Sequence, residues 1–437
     1  MALIHRWTHG QLLFGTGAYH QHAQQMALAL VEREALAGYW SGGVDVFVNP
    51  LARRLRASLP YVAPRLAREL SRRAVSAVPH RHVRSRWRWE LPRVVASRAN
   101  VDERIVDWLW NRGEHDLDRA CARGLTSDAI SGFIGVEYGA LASLQQCRRL
   151  NKRGFVAFTS AHHRTFARTV GRELERFPAL KTSAGYFAAR DAARSARRDE
   201  ELCVADFAIA NSSFTARSLV EAGTPADRVL TVPLGGPDPV PREALPSSSP
   251  RTCRVMYAGT VAVHKGVQYL LRAWRRIAKP GMELHLYGGM RLPDQLARTL
   301  VGGLSGSVFT HGSVHSAELS SAYLESSVLV LPTLCDGFGM VVSEALAHGL
   351  PVITTANAGA ADAIVDGENG FVIPAADEDA LAERLSWCVD HPDALHAMRA
   401  RALASAGRRT WAHFRTHFID TLDLALSRPS DQARVAS

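Results

Sequence analysis

This chain of 437 residues has no run of 18 apolar residues, so nothing in it reads as a transmembrane helix. Met1–Gly10 lacks the basic-then-apolar pattern of a secretory signal. Cysteine is sparse: Cys121, Cys147, Cys203, Cys253, Cys335 and Cys388 are scattered, with no C-x-x-C pair and no metal-ligand spacing. That argues against a disulfide framework or a zinc site. It leads us to expect reduced thiols in a cytoplasmic protein, with peripheral contact at the inner membrane face as a further option. Excess negative charge is also missing from the first half. Residues 1–240 hold 34 Lys/Arg against 23 Asp/Glu, while residues 241–437 hold 18 against 19. A field of that kind suits an anionic or lipid-linked acceptor, a lipid surface or nucleic acid. An arginine-rich composition from a GC-rich genome gives the same asymmetry, and no nucleic-acid motif accompanies it.

What is present has the composition of a globular protein, 47% apolar, in a chain too long for one ordinary core. Gly236–Pro250 (G-P-D-P-V-P-R-E-A-L-P-S-S-S-P) can continue neither a helix nor a central strand and is the natural linker. It divides a first domain, residues 1–235, from a second, residues 251–410. A helix over 411–428 and a loose tail, 429–437, follow. The second half alternates. Apolar strands are expected at Arg254–Ala258, Glu283–Tyr287, Val308–His311, Val328–Pro332, Pro351–Thr355 and Phe371–Ile373. Helices are expected at Gly266–Ala278, Pro293–Val301, Ser316–Glu325, Gly339–His348 and Gly359–Val365. Such alternation implies an α/β fold with a parallel sheet covered on both faces, binding ligands at the strands' carboxyl ends. The first half is less legible. Gln21–Leu36 reads as a helix, and Phe155–Phe158 and Phe207–Ala210 as strands. His80–Trp89 (H-R-H-V-R-S-R-W-R-W) reads as a strand edge of solvated arginines or as a basic aromatic strip on a membrane.

The densest chemistry lies in Cys335–Leu350, C-D-G-F-G-M-V-V-S-E-A-L-A-H-G-L. Asp336 and Glu344 flank a Gly-Phe-Gly turn that opens a helix. The helix start exposes unpaired N–H groups and partial positive charge, a place for phosphate or electron-rich hydroxyls. Upstream, Val255–Gly266 (V-M-Y-A-G-T-V-A-V-H-K-G) ends a strand in Gly259 and brings Lys265 to the same sheet edge. A lysine there can neutralise a departing diphosphate. Cys335 is better read as a small apolar filler than as a nucleophile.

From about Arg254 to Trp411 these segments, together with A-D-A-I-V-D-G-E-N-G-F-V-I-P, resemble the donor-binding domain of retaining glycosyltransferases of family 4. That resemblance implies the GT-B fold: two Rossmann-like parallel-sheet domains facing across a cleft, with a C-terminal helix crossing back to the first. It implies transfer of a sugar from a UDP- or GDP-type nucleotide sugar to an acceptor hydroxyl, with retention and without a metal or other cofactor. The acceptor would be a glycolipid, polysaccharide or small glycoside. By the same resemblance Lys265, Asp336 and His163 would carry catalysis. Asp336 and the N–H groups of Phe338 and Gly339 would contact sugar and diphosphate, with Gly337 in the turn. Glu344 would take the ribose, and Gly312–Val314, with Val314 at its end, would border the base. Gly259, Thr260 and His264 would line the phosphate site. Gly15 and Gly17 would offer backbone donors from the first domain. Two departures stand out. Asp336 replaces the family's first glutamate, and Thr260 stands where an arginine is usual, leaving His264 or a first-domain arginine to compensate. A non-catalytic nucleotide-sugar sensor or partner subunit therefore remains open, as do an epimerase or a phosphorylase on the same architecture.

Overall fold

The structure is a computed structural model. It describes residues 9–17, 21–42, 75, 77–99, 101–177, 185–248, 252–292, 302–303 and 307–428, and for 185–190 the backbone only. The helix expected at Pro293–Val301 lies outside the described residues.

Two parallel sheets carry the chain. The first is formed by β1 (Gln11–Thr16), β2 (Leu36–Ser41), β3 (Val83–Ser85), β4 (Ile130–Val136), β5 (Arg153–Phe158), β6 (Phe207–Ala210) and β7 (Val229–Thr231), in the order β3-β2-β1-β4-β5-β6-β7. The second is formed by β8 (Cys253–Ala258), β9 (Met282–Tyr287), β10 (Val308–Gly312), β11 (Val328–Leu331), β12 (Val352–Thr355) and β13 (Gly370–Ile373), ordered β10-β9-β8-β11-β12-β13. Both orders run outward from a central pair, so each sheet has a switch point, between β1 and β4 and between β8 and β11. Strands covered on both faces must be apolar throughout, and Val328–Leu331 and Val352–Thr355 are buried at every position.

The helix that begins at Gln21 ends at Glu32, and Leu36 already belongs to β2. Glu34, in the turn between them, has a positive φ of 57°. Gly359–Ala363 forms a short 3₁₀ turn in place of an α-helix. His80–Trp89 contains the edge strand β3, but its arginines are not simply solvated. Arg86 and Arg88 both bind Asp116 of the Glu103–Gly124 helix, and Arg84 lies over Trp40.

The linker is packed. Val240 donates its N–H to Ala347 O (2.8 Å), and Gly236 bridges to Thr410. The final helix, Trp411–Leu426, buries Trp411, Phe414, Phe418, Ile419, Leu422 and Ala425, spaced along one face. Its Arg415 reaches the Gln21–Glu32 helix, donating to Glu32 and to Gln25 Oε1 at 2.8 Å. The helix therefore crosses back to the first domain. Phe418→Ala should remove about 3–5 kcal/mol of unfolding free energy in urea denaturation, the usual cost of an emptied core aromatic. Leu424→Ala, at an exposed position, should change it by less than about 0.5 kcal/mol.

Candidate active site

At the second sheet's switch point two loops are locked together. After β8 the chain makes a 3₁₀ turn, Val263–Lys265, and enters the Val267–Ile277 helix through Gly266. Gly266 has φ +71°, and a Cβ there would sit 1.9 Å from Pro332 O, so a side chain is excluded on both counts. The close approach lets His264 O accept from Leu334 N (2.8 Å) and from Thr333 Oγ1 (3.0 Å). Lys265 Nζ is thereby set against Asp336 Oδ2 in a largely buried ion pair, the two side chains 21% and 13% exposed. Asp336 N donates to Asn357 O (3.0 Å), and its own carbonyl accepts from Gly359 N (3.1 Å). The carboxylate is thus fixed by backbone on both sides.

The Met340–Ala347 helix starts at Gly339 in the left-handed region, φ +88°. A Cβ on Gly339 would lie 3.5 Å from Asp336 Oδ2, which places the carboxylate beside the helix mouth. At the fifth residue of that helix, Glu344 accepts from Tyr323 OH (2.9 Å). Burial and that carboxylate together hold the Tyr323 phenol well above its ordinary value, so it remains a donor. Gly259 follows β8, and its N–H donates to Tyr287 O (2.8 Å); Thr260 O accepts from Tyr257 OH (2.7 Å). Val314, beyond β10, packs half-buried on the core. Lys265, Asp336, Gly259, Thr260, His264, Gly337, Phe338, Gly339, Glu344 and Val314 all lie on the loops and helix starts beyond the carboxyl ends of β8, β10 and β11.

One expectation needs correction. Gly15 lies inside β1 between β2 and β4, where a Cβ would meet Cys121 Sγ at 2.8 Å. Its glycine serves core packing, because strand pairing on both sides occupies its backbone. Burial, with Lys265 adjacent, holds the His264 imidazole below the ordinary histidine value, so it is neutral at pH 7.

The first domain meets this edge directly. Gly337 O accepts from Ser212 Oγ (2.7 Å) and Thr215 Oγ1 (3.3 Å), both at the start of the Ser213–Glu221 helix. A Cβ on Gly337 would lie 2.4 Å from Thr159 O. Nearby, Ser213 N donates to Asp362 Oδ2 (2.9 Å). The helix His163–Arg176 supplies Glu173, which accepts from Gln268 Nε2 (3.1 Å) and Tyr269 OH (2.8 Å) across the boundary. None of Glu173, Ser212 or Thr215 stood out in the sequence as functional. Each is ordinary until a partner more than a hundred residues away, or nearly so, closes on it.

His163 lies at the first turn of that helix. Its Nε2 is 3.3 Å from Asp199 Oδ1, and its ring lies tilted against that of His162, centroids 4.1 Å apart. Its Nδ1 is buried without a hydrogen-bond partner, and burial lowers its pKa, leaving a neutral imidazole with an open acceptor. His162, His163 and Asp199 bring potential ligand atoms within 4.8 Å of one another. His162 Nδ1, however, accepts the N–H of Arg164 (3.2 Å), so in the neutral ring Nε2 carries the proton and has no lone pair to give. Arg164, bound to the same Asp199 at 2.7 Å, adds a positive charge. The sequence also contains two Asp-x-Asp strings. Asp116 binds Arg86 and Arg88, Asp118 accepts from Ala142 N (2.8 Å) and Ser143 N (2.9 Å), and Asp377 caps the Glu378–Asp390 helix. The fourth, Asp379, binds Arg276 at 2.6 Å, so each of these carboxylates has a partner in the structure.

Residues 252–391 match the protein-family model described as "Glycosyl transferases group 1". The D-inositol 3-phosphate glycosyltransferase of Streptomyces griseus is 28% identical over 238 residues, 50% of this chain and 50% of that protein. The capsular polysaccharide biosynthesis glycosyltransferase CapM of Staphylococcus aureus is 31% identical over 136 residues, 31% of this chain and 36% of that protein. The chain thus spans about half the length or less of these curated relatives. Anabaena HepE, solved with UDP and glucose, superposes with TM-score 0.60 at 14% identity, covering 95% of this chain and 100% of that one. Sucrose-phosphate synthase of Thermosynechococcus elongatus gives 0.58 at 17% identity, covering 98% and 100%. The fold is GT-B: two Rossmann-like parallel-sheet domains. The chain resembles family-4 glycosyltransferases of that fold, with the sequence match concentrated in the second domain.

Gly337→Ala should force the loop and the first domain apart, because the obstructing atoms are backbone. Differential scanning calorimetry should show a lower or split transition. A melt identical to wild type would mean that this contact does not hold the domains together.

Proposed function

We propose that the protein transfers a sugar from a UDP- or GDP-type nucleotide sugar to an acceptor hydroxyl, retaining anomeric configuration and using no metal ion. The observation that carries this reading is the Lys265–Asp336 pair at the switch point of the second sheet, beside a free helix N-terminus. A bound diphosphate would compete with Asp336 for the Lys265 ammonium, releasing the carboxylate to accept a sugar hydroxyl. The leaving diphosphate gains charge in the transition state, so Lys265 and the N–H groups of Phe338 and Gly339 stabilise that state more than the ground state. Glu344, already held by Tyr323, would receive ribose hydroxyls further along the same helix. The closed boundary at Gly337 would keep water from the donor. Retention follows if the acceptor attacks from the leaving-group face and its proton passes to the departing phosphate oxygen. His163 Nδ1 would then accept a hydroxyl of the transferred sugar.

HepE solved with UDP-glucose supports the donor class by analogy of fold alone. Among the described residues no helix is long and apolar enough to cross a membrane. A cytoplasmic place, with peripheral contact through the basic first domain and no nucleic-acid role, belongs to the same proposal. One observation favours a second reading, a sensor that binds nucleotide sugar without turnover: Thr260 and the neutral His264 bring no cation to the phosphate site.

Thermal-shift titration with UDP, GDP, UDP-glucose and a GDP-sugar should raise the melting temperature for one base. Glu344→Ala should weaken that nucleotide about tenfold, since buried ribose hydroxyls lose their acceptor. Lys265→Ala should lower donor turnover by roughly 100-fold with a smaller effect on binding. Nucleotide binding with no hydrolysis or transfer would favour the sensor. No nucleotide binding at all would remove both readings.

A further inference from the structure

The first sheet has its own switch point, and a cavity of about 360 Å³ opens there. Its wall includes Gly17 beyond β1, Glu137 and Tyr138 beyond β4, and Thr159 beyond β5. Trp110 and Glu114 from the Glu103–Gly124 helix and Arg198 from the Gly185–Val204 helix complete it. The backbone carbonyl of Thr159 is the atom that a Cβ on Gly337 would strike at 2.4 Å. Thr159 therefore belongs both to the cavity wall and to the contact with the Asp336–Gly337 turn, while the lining residues all come from the first domain. Its volume lies near the lower end for small-molecule sites, roughly 300–1,000 Å³, which suits one ring rather than a chain.

Most charges in the wall are already matched. Arg93 binds Glu90 at 2.6 and 2.7 Å, and Arg86 binds Asp116 at 3.2 Å. Glu137 accepts from Ser160 Oγ (2.8 Å) and stands 3.5 Å from Arg198 Nε, which is buried with no hydrogen bond. Glu114 makes no hydrogen bond or ion pair among the described residues. Its carboxylate fills the space a Gly17 side chain would need, 1.9 Å from that Cβ, and also abuts Gly139. Trp110 and Tyr138 stack at 5.0 Å beside it. What the wall leaves over is one carboxylate without a donor and one guanidinium N–H that is ion-paired with Glu137 but not hydrogen-bonded. A hydroxyl supplies both a donor and an acceptor. A phosphate supplies no donor when ionised and meets Glu114 as a like charge.

We propose that this cavity receives the acceptor, that the acceptor is a neutral polyhydroxyl ring without phosphate, a monosaccharide or cyclitol, and that Glu114 accepts one of its hydroxyls. The inference rests on the glycosyltransferase reading and departs from the anionic acceptor suggested by the basic first half. Glu114 binds and orients the acceptor and takes no proton in the transfer. Burial, with Glu90 and Asp118 near it, pushes its carboxyl up to about 7, while Arg197 and Arg93 oppose the shift. Tyr138, Glu137 and Arg198 face the same space. Acceptor affinity should therefore fall as pH drops through 7 and Glu114 becomes protonated.

The test is saturation-transfer NMR on the full chain without donor. The probes are methyl α-D-glucoside, methyl α-D-mannoside and myo-inositol, against glucose 6-phosphate, mannose 6-phosphate and myo-inositol 1-phosphate. At least one neutral probe should bind at millimolar concentration and about tenfold tighter than its phosphate, with affinity falling below pH 7. Glu114→Gln should weaken it about tenfold and flatten the pH dependence. Misfolding will not confuse the result. A carboxyl whose pKa is raised on folding destabilises the folded state above that pKa, so Glu114→Gln should melt at or above the wild-type temperature there. Tighter binding of the phosphates, no binding of any neutral probe, or an unchanged Glu114→Gln profile would overturn the proposal. Because donor is absent, failure of nucleotide binding or turnover is read separately.

Discussion

The structure depends on one residue having no side chain. Gly337 is wedged between the backbone of Thr159 and Ser160 and the hydroxyls of Ser212 and Thr215, and its carbonyl takes hydrogen bonds from both of those hydroxyls. This contact sets the acidic turn of the second domain against the strand ends of the first. The two switch points then face each other. Without it, Asp336 would sit at the rim of an open domain, and the cavity beneath Thr159 would face solvent.

Around that contact, electrostatics and sterics divide the work. The Lys265–Asp336 pair is held by backbone on both partners: Gly266 permits the approach to Pro332, and His264 O collects Leu334 N and Thr333 Oγ1. Such a largely buried pair costs desolvation unless its geometry is good, and breaking it leaves an uncompensated charge. Glu173, by contrast, is spent on joining domains. It accepts from Gln268 and Tyr269, while Arg176 donates to the same Tyr269 at 3.0 Å. Histidine here is structural electrostatics as much as chemistry. His162 and His163 share one carboxylate oxygen of Asp199, and burial keeps both neutral.

The second domain was legible in sequence because its signals are local. Strands buried on both faces read as apolar runs, and β11 and β12 lie within a residue of where V-L-V-L-P and P-V-I-T-T place them. The Ser316–Glu325 helix runs over the residues its pattern marks. The first domain was harder. Gly15 and Gly17 form one G-x-G string, yet they do different things. Gly15 makes room for Cys121 and Phe133 inside the sheet, and Gly17 makes room for Glu114 at the cavity rim. Sequence spacing cannot separate a glycine demanded by a core neighbour from one demanded at a site.

By itself the sequence determined which residues stand at the carboxyl ends of the second domain's strands. Strand–helix alternation fixes that edge, and glycine turns mark it. It determined that Asp336 and Glu344 flank the glycine turn that opens the Met340–Ala347 helix and that Lys265 stands at the same sheet edge. Only the tertiary structure decided what faces them. The Arg86–Asp116 pair and the Ser212–Gly337 contact join residues 30 and 125 apart, and Glu114 finds no hydrogen bond or ion pair among the described residues. Whether a charged side chain is matched or left over depends on which partners folding brings within about 4 Å, and no local pattern encodes that distance.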